Sequence, residues 1–184
     1  FLADHVDTLE TLIVERVRSW DSSNIIKSCR NLKFLHLEET LLNDLEETIP
    51  SVVEVKVQLP MQKINMFPNA KKLFIENATT ANNQVLSDVM KRVTDLSLKF
   101  GNCEGILMEN ITKMSFMNVG DIAAQFFVQH NKITDLTLRN IFHLDDNLLQ
   151  AIVENLGAHL IILRIFGINQ LSPNALNIIK DNCK

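Results

Sequence analysis

The chain has 184 residues, 46% of them hydrophobic, and its 18 basic and 22 acidic side chains give a formal net charge of −4. This hydrophobic fraction excludes a disordered chain and supplies the apolar side chains for one core or one block of repeats. The slightly acidic balance disfavours general nucleic-acid binding. The most apolar stretch, residues 160–166, is too short to span a bilayer, so we expect no membrane insertion.

A short apolar pattern recurs along the whole chain. It places apolar residues at the first, fourth and sixth positions of a unit, and successive units begin 18 to 27 residues apart. This spacing is close to the 20–29-residue period of leucine-rich repeats, and the alternation predicts one short strand in each unit. The eight units begin at Leu9, Leu32, Val52, Ala70, Val93, Ile111, Ile133 and Leu160.

Several segments between the strands carry helix signals. Asn82 and Asn83 precede an apolar helical face over 85–90, and Asp121 precedes another over 122–127. The units that begin at Val52 and Val93 have only 18 residues and contain Pro60, or Gly101 and Gly105. We therefore expect these two units to cross over without a full helix.

The last two helix signals are the strongest. Asp145 and Asp146 precede an apolar face over 148–156, and Gly157 follows where a left-handed helix end is expected. Ser172 and Pro173 predict a capped helix start, with Pro173 at the first helical position. The repeated unit is therefore a strand, a loop and a helix.

The stretch from Ile133 to Lys184 and the region from Ser22 to Leu37 resemble the ribonuclease-inhibitor-like class of leucine-rich repeat, and more narrowly the arrays of F-box proteins. In those arrays a strand leads to a helix that ends in cysteine, as in Asn182–Cys183 and Ser28–Cys29. The resemblance implies one α/β solenoid over residues 1–184. It would have about eight repeats, a curved parallel sheet on the concave side, and short helices and loops on the convex side.

F-box proteins use such repeats to hold the substrate of a ubiquitin ligase. The resemblance therefore implies a substrate-recognition module that contacts the ligase scaffold only through a segment outside this chain. We expect the array to be a fragment that lacks neighbours at both ends, because residues 1–6 read as the tail of a preceding unit.

The chain departs from the family at the turns. Eight residues after each start the family places Cys, Asn or Thr, and here only Thr40 fits. We expect the backbone at these turns to use other partners. The missing ladder disfavours the extracellular class of repeat.

Cysteine usage also favours an intracellular protein. Cys29, Cys103 and Cys183 are too few for a disulfide scaffold, and an odd number leaves one thiol over. Two sequons that begin at Asn77 and Asn110 keep a secreted binding domain open as an alternative.

Catalytic and metal-binding patterns are missing. The five histidines fall at different phases of the repeat, and zinc-site spacings and glycine-rich phosphate loops are lacking. His36 alone is predicted to point to the inner sheet face, as a solvated strand residue. We predict no enzyme activity, no cofactor and no metal.

The candidate site is the concave sheet face, formed by positions three, five and seven of the units. Position seven is acidic or neutral in the first four units, whereas the last four contain Lys99 and Arg139 and no acid. Outward apolar residues beside this column are expected to anchor a protein ligand. The predicted partner-binding residues are Ile13, Glu15, Phe34, His36, Glu38, Lys56, Lys72, Phe74, Lys99, Arg139, Arg164 and Phe166.

One further alternative remains open. A local basic patch of Lys99, Lys113, Arg139 and Arg164 suggests an RNA-export type of leucine-rich repeat that contacts RNA or export factors.

Overall fold

The computed structural model describes residues 7–15, 26, 28–37, 48–58, 65–76, 91–100 and 108–183. Eight strands form one parallel sheet in chain order, which confirms the predicted α/β repeat solenoid. The strands are β1 (Thr11–Val14), β2 (Phe34–Leu37), β3 (Glu54–Gln58), β4 (Lys72–Glu76), β5 (Asp95–Lys99), β6 (Lys113–Met117), β7 (Asp135–Arg139) and β8 (Ile162–Phe166). Three helices lie within the described ranges, α1 (Ala124–Gln129), α2 (Asp146–Leu156) and α3 (Ala175–Asn182).

The register of the sheet follows the repeat. Lys56 of β3 pairs with Phe74 of β4, Phe74 pairs with Ser97, and the same repeat position meets its counterpart at every step from β1 to β8. Because side chains alternate along a strand, positions three, five and seven share one face of the sheet.

The opposite face of the sheet forms the core. Positions four and six are buried in the central strands, as Leu96 and Leu98 of β5 show, and α1 and α2 add Phe127 and Ile152 to the same cluster. In β8 both of these positions are only half-buried. Each described repeat thus adds a few apolar residues to one continuous core, as the repeat predicts.

A backbone ladder joins the units just before each strand. The carbonyl of Lys71 accepts from the backbone N–H groups of Thr94 and Asp95, at 2.9 and 3.1 Å, and an equivalent pair recurs at each of the seven steps. In addition, the hydroxyl of Thr134 lies 3.2 Å from the carbonyl oxygen of Thr112. These bonds satisfy the polar groups of the turns that enter the sheet.

The turns that leave the strands differ from the family ladder considered above. Asn118 and Asn140, each seven residues after a start, have a φ of 52°, and the amide of Asn140 donates to Oδ1 of Asn118 at 2.9 Å. Val119 and Ile141, at the family's position, are buried in the core. An asparagine pair is therefore present one residue before the family's position, and its side chains bond to each other.

Backbone groups at these exits bond to the next strand. The N–H of Asn118 donates to the carbonyl of Arg139, and that of Asn140 donates to the carbonyl of Phe166, both at 2.9 Å. The expectation that the turns use other partners is thus confirmed for this part of the array.

At the ends of α2, one sequence prediction is correct and one is wrong. Asp145 caps α2, because its carboxylate accepts from the N–H of Leu148 at 2.8 Å. Gly157 is not left-handed; its φ is −57°, and a Cβ there would collide with the carbonyl oxygen of Asn182 in α3. Glycine is needed at this point for close packing of the two helices.

The starts of α1 and α3 lie later than predicted. Asp121 is not a cap, because α1 begins at Ala124 without a side-chain cap. Ser172 and Pro173 form a turn before α3, in which Oγ of Ser172 accepts from the N–H of Asn174 at 3.0 Å. The predicted helix over 85–90 and the two predicted crossovers lie outside the described residues.

Candidate functional site

The concave face is the sheet face opposite the core, and it carries positions three, five and seven of each unit. Of the predicted partner-binding residues, Glu38 lies outside the described ranges, and Glu15 directly follows β1. The other ten are strand residues that the register places on this one face: Ile13, Phe34, His36, Lys56, Lys72, Phe74, Lys99, Arg139, Arg164 and Phe166.

Apolar side chains are partly open to solvent on this face. Ile13 at one end of the sheet and Phe166 at the other are 57% and 52% exposed, and Phe34 and Phe74 between them are half-buried. An exposed large apolar side chain on a sheet face indicates a binding surface better than a buried one does, because covering it with a partner lowers the free energy of the complex.

His36 is buried, and the prediction of a solvated histidine is wrong. Only 5% of the residue is exposed, and Nδ1 lies 3.0 Å from Oε1 of Glu15. Glu15, the neighbouring position-seven residue of the first unit, supplies the polar partner that a covered imidazole requires.

The change of sign along position seven occurs at an ion pair. Nζ of Lys99 lies 2.5 Å from Oε1 of Glu76, and both side chains are largely shielded from water. The two charges on either side of the predicted boundary therefore neutralise each other. Arg139, farther along, is exposed and makes no ion pair with any residue that the structure describes.

Position three carries an alternation of charge that sequence reasoning missed. From β3 to β7 it reads Glu54, Lys72, Asp95, Lys113 and Asp135. Glu54 pairs with Lys72 at 3.3 Å, and Asp135 pairs with Arg164 at 2.6 Å. The alternation of acidic and basic residues at this repeat position was visible in the sequence, but only the register shows that these residues are neighbours.

Asp95 lies in the middle of this row. Partial burial raises the pKa of its carboxyl group above the ordinary value, and the charges of Lys72 and Lys113 on the adjacent strands offset part of this effect. Asp95 forms no ion pair with another described residue. On balance the folded protein therefore disfavours the charged form of Asp95, although a lysine lies on each neighbouring strand.

A hollow of about 280 Å³ lies on the concave face between β2 and β5. Nζ of Lys56 lies 5.2 Å from the centre of the Phe74 ring, which is the geometry of a cation–π contact. The hollow combines two phenyl rings with four charged side chains. Its lining consists of Phe34, Glu54, Val55, Lys56, Lys72, Leu73, Phe74, Asp95 and Ser97.

A second hollow of about 370 Å³ lies where the last three strands end. It contains Asn118, Asn140 and Gly167, which all have positive φ, and it is edged by the exposed ring of Phe142. Sequence reasoning missed this feature. The asparagines at one repeat position were the signal that could have found it.

The basic patch considered for RNA is partly neutralised. Lys99 and Arg164 are each held in an ion pair with a carboxylate, and only Lys113 and Arg139 lack such a bond among the described residues. A phosphate backbone would have to compete with Glu76 and Asp135 for these two cations.

The described thiols are poor nucleophiles. Neither Cys29 nor Cys183 is in a disulfide bond, and burial raises the pKa of both thiols above the ordinary value. Cys103 lies outside the described residues. Among the described residues, His, Cys, Asp and Glu side chains form no group of three or more that could hold a metal ion.

Asn110, the sequon asparagine within the described ranges, already has a backbone partner. Its amide nitrogen donates to the carbonyl of Lys91 at 2.5 Å. Asn77 lies outside the described residues.

In the part of the chain that the structure describes, no helix has the length and apolar character needed to cross a membrane. Comparison with models of known protein families finds no match, and no curated protein matches the chain. The firm result is therefore the architecture, an α/β repeat solenoid whose eight parallel strands present one continuous face of mixed apolar and charged side chains.

Proposed function

We propose that this chain is a non-enzymatic interaction module that binds a protein partner on the concave face. The observation that carries the proposal is the set of partly exposed apolar side chains on that face, which includes Ile13, Phe34, Phe74 and Phe166. Such residues, set among charged neighbours, are typical anchors of protein interfaces.

The dimensions of the face support a macromolecular partner. Seven steps of about 4.8 Å between strands give a sheet about 34 Å long. A small molecule prefers a deep pocket that covers most of its surface. A folded protein or an extended peptide can use the whole row of strands.

The narrower proposal is that the module is intracellular and selects substrates for an F-box-type ubiquitin ligase. It is supported by the resemblance of the repeat, including the helix α3, which Cys183 directly follows. The contact with the ligase scaffold would come from a segment outside this chain. If this proposal holds, depletion of the protein raises the cellular abundance of its captured partner, whereas unchanged abundance argues against it.

Capture of a partner by variants of the face tests the main proposal. The variant Phe34→Ala, Phe74→Ala, Arg139→Ala is compared with Gln125→Ala, Val128→Ala, Leu176→Ala, a control made on the exposed helix side. We expect the first variant to lose the proteins captured by the wild type and the control to keep them, with both variants still folded by circular dichroism. Equal capture by both folded variants would contradict the proposal.

A further inference from the structure

The charged side chains that line the hollow between β2 and β5 differ in whether an opposite charge lies beside them. Glu54 and Lys72 form an ion pair, and Asp95 lies between Lys72 and Lys113 in the register. Lys56 is different, because its register neighbours are His36 and Phe74 and it makes no ion pair with any described residue. Of the two lysines that line the hollow, Lys56 is the one without an acidic residue beside it on a neighbouring strand.

Lys56 is held in place by an aromatic ring. Its ammonium group lies over Phe74 at 5.2 Å from the ring centre. The ring stabilises the cation from one side but accepts no conventional hydrogen bond, and the ammonium group has three N–H donors. Those donors make no hydrogen bond to a described residue, so a ligand that enters the hollow can accept hydrogen bonds from them.

Apolar surface lies beside this cation. Phe34 of β2 and Phe74 of β4 both line the hollow and both are half-buried. Their strands are two steps apart, and Phe34 lies in the row of Glu54, two residues before the row of Lys56 and Phe74. Because both rings line the same hollow, an apolar side chain that enters it meets aromatic surface close to Lys56.

We infer that the hollow anchors an acidic, apolar segment of the protein partner, with a carboxylate bound by Lys56 and an adjacent apolar side chain held between Phe34 and Phe74. The inference rests on the proposed function, because it assigns the chemistry of a partner that binds the concave face. Lys56 favours an acidic group, because the other lysine of the hollow, Lys72, already pairs with Glu54. A basic side chain at the same place would meet Lys56 without any compensating carboxylate in its row.

Two capped peptides test this chemistry, acetyl-Leu-Glu-Leu-amide and acetyl-Leu-Gln-Leu-amide. Each is titrated into the isotope-labelled chain, and amide chemical shifts are followed by NMR. We expect the glutamate peptide to bind about tenfold more tightly than the glutamine peptide, because a charge-assisted hydrogen bond replaces a neutral one. The largest shifts should fall on β3 and β4. Equal binding of the two peptides, or shifts centred elsewhere, would overturn the inference.

Two substitutions make the test specific to the cation. Lys56→Gln should abolish the preference for glutamate, whereas Lys180→Gln on the exposed side of α3 should preserve it. Lys56→Glu should reverse the preference, so that acetyl-Leu-Lys-Leu-amide binds more tightly than the glutamate peptide. A glutamate preference that survives Lys56→Gln would show that another cation is responsible and would overturn the assignment.

Failure of this inference can be separated from failure of the proposed function. If Lys56→Gln captures the partner as well as the wild type while the triple variant of Phe34, Phe74 and Arg139 loses it, the assignment to Lys56 is wrong and the concave face remains the binding surface. If the triple variant captures as well as the wild type, the binding surface itself is wrong.

Discussion

The backbone N–H of Met108 donates a hydrogen bond to Nε2 of His130, 3.1 Å away, although 22 positions separate the two residues in sequence. Nδ1 of the same ring lies 2.6 Å from the carbonyl oxygen of Phe126. Nε2 accepts, so Nδ1 carries the proton and the imidazole is neutral. His130 is only 3% exposed and stacks on the Phe126 ring, so this one side chain joins the entry to β6 with the entry to β7.

Replacing His130 by phenylalanine should destabilise the array. His130→Phe keeps an aromatic ring against Phe126 but leaves the buried N–H of Met108 without an acceptor, which costs about 1–3 kcal/mol. Urea unfolding measures the difference in the free energy of unfolding. His159→Phe, at an exposed position, is the control and should change that free energy by less than about 0.5 kcal/mol. Equal stability of the two variants would contradict the bridging role.

Gly157 and Gly120 should respond differently to alanine. A Cβ at Gly157 would collide with the carbonyl oxygen of Asn182, so Gly157→Ala should lower the free energy of unfolding by roughly 1–3 kcal/mol. A methyl group added at Gly120 would meet no atom within 4 Å, so Gly120→Ala should be neutral or stabilise by up to about 1 kcal/mol. Urea unfolding of both variants decides the matter, and a tolerated Gly157→Ala would show that α2 and α3 are not packed this closely.

The strands were predictable from the sequence because burial imposes a period of two on each of them. Leu96 and Leu98 face the core, and the residues between and around them face outward, so the register of the whole concave face followed from the apolar pattern. The prediction for Gly157 failed because the need for glycine came from α3, a separate helix later in the sequence.

The turns were less predictable. Asn31, Asn69 and Asn110 each stand one residue before a unit start, and each donates its amide to a backbone carbonyl of the preceding unit. The recurrence was present in the sequence, but asparagine is common in turns for several reasons. Only the stacking of the units shows that these side chains connect one repeat to the next.

The candidate site was predictable as a face and not as a set of interactions. Positions three, five and seven could be assigned by alternation, yet the Lys99–Glu76 pair and the contact of Lys56 with Phe74 depend on side-chain conformations across strands. The burial of His36 likewise depends on Glu15 of the adjacent unit. These contacts decide which charges on the face stay available to a partner.

The raised pKa of Asp95 predicts a pH dependence of stability. The folded state holds the proton more tightly than the unfolded state, so this contribution to stability is present at low pH and is lost as the pH rises through the folded-state pKa. Asp95→Asn cannot ionise and should raise the melting temperature relative to the wild type at about pH 7, with the gap closing towards about pH 3.

A neighbouring carboxylate provides the control. Asp135 accepts a hydrogen bond from Arg164 at 2.6 Å, so Asp135→Asn should lower the melting temperature at neutral pH. An NMR titration checks the origin of the effect directly. Asp95 should titrate above the ordinary aspartate value of about 3.9, and titration at or below that value would refute the burial argument.

The most direct test of the central claim is photocrosslinking from defined positions in cells. Phe34→p-benzoylphenylalanine places the reactive group on the concave face, and Leu176→p-benzoylphenylalanine places it on the exposed side of α3, where the residue is 76% exposed. Binding on the concave face predicts a discrete crosslinked protein from position 34 and none from position 176. A crosslinked protein from position 176 together with none from position 34 would contradict the claim that this solenoid binds its partner with the concave face of its sheet.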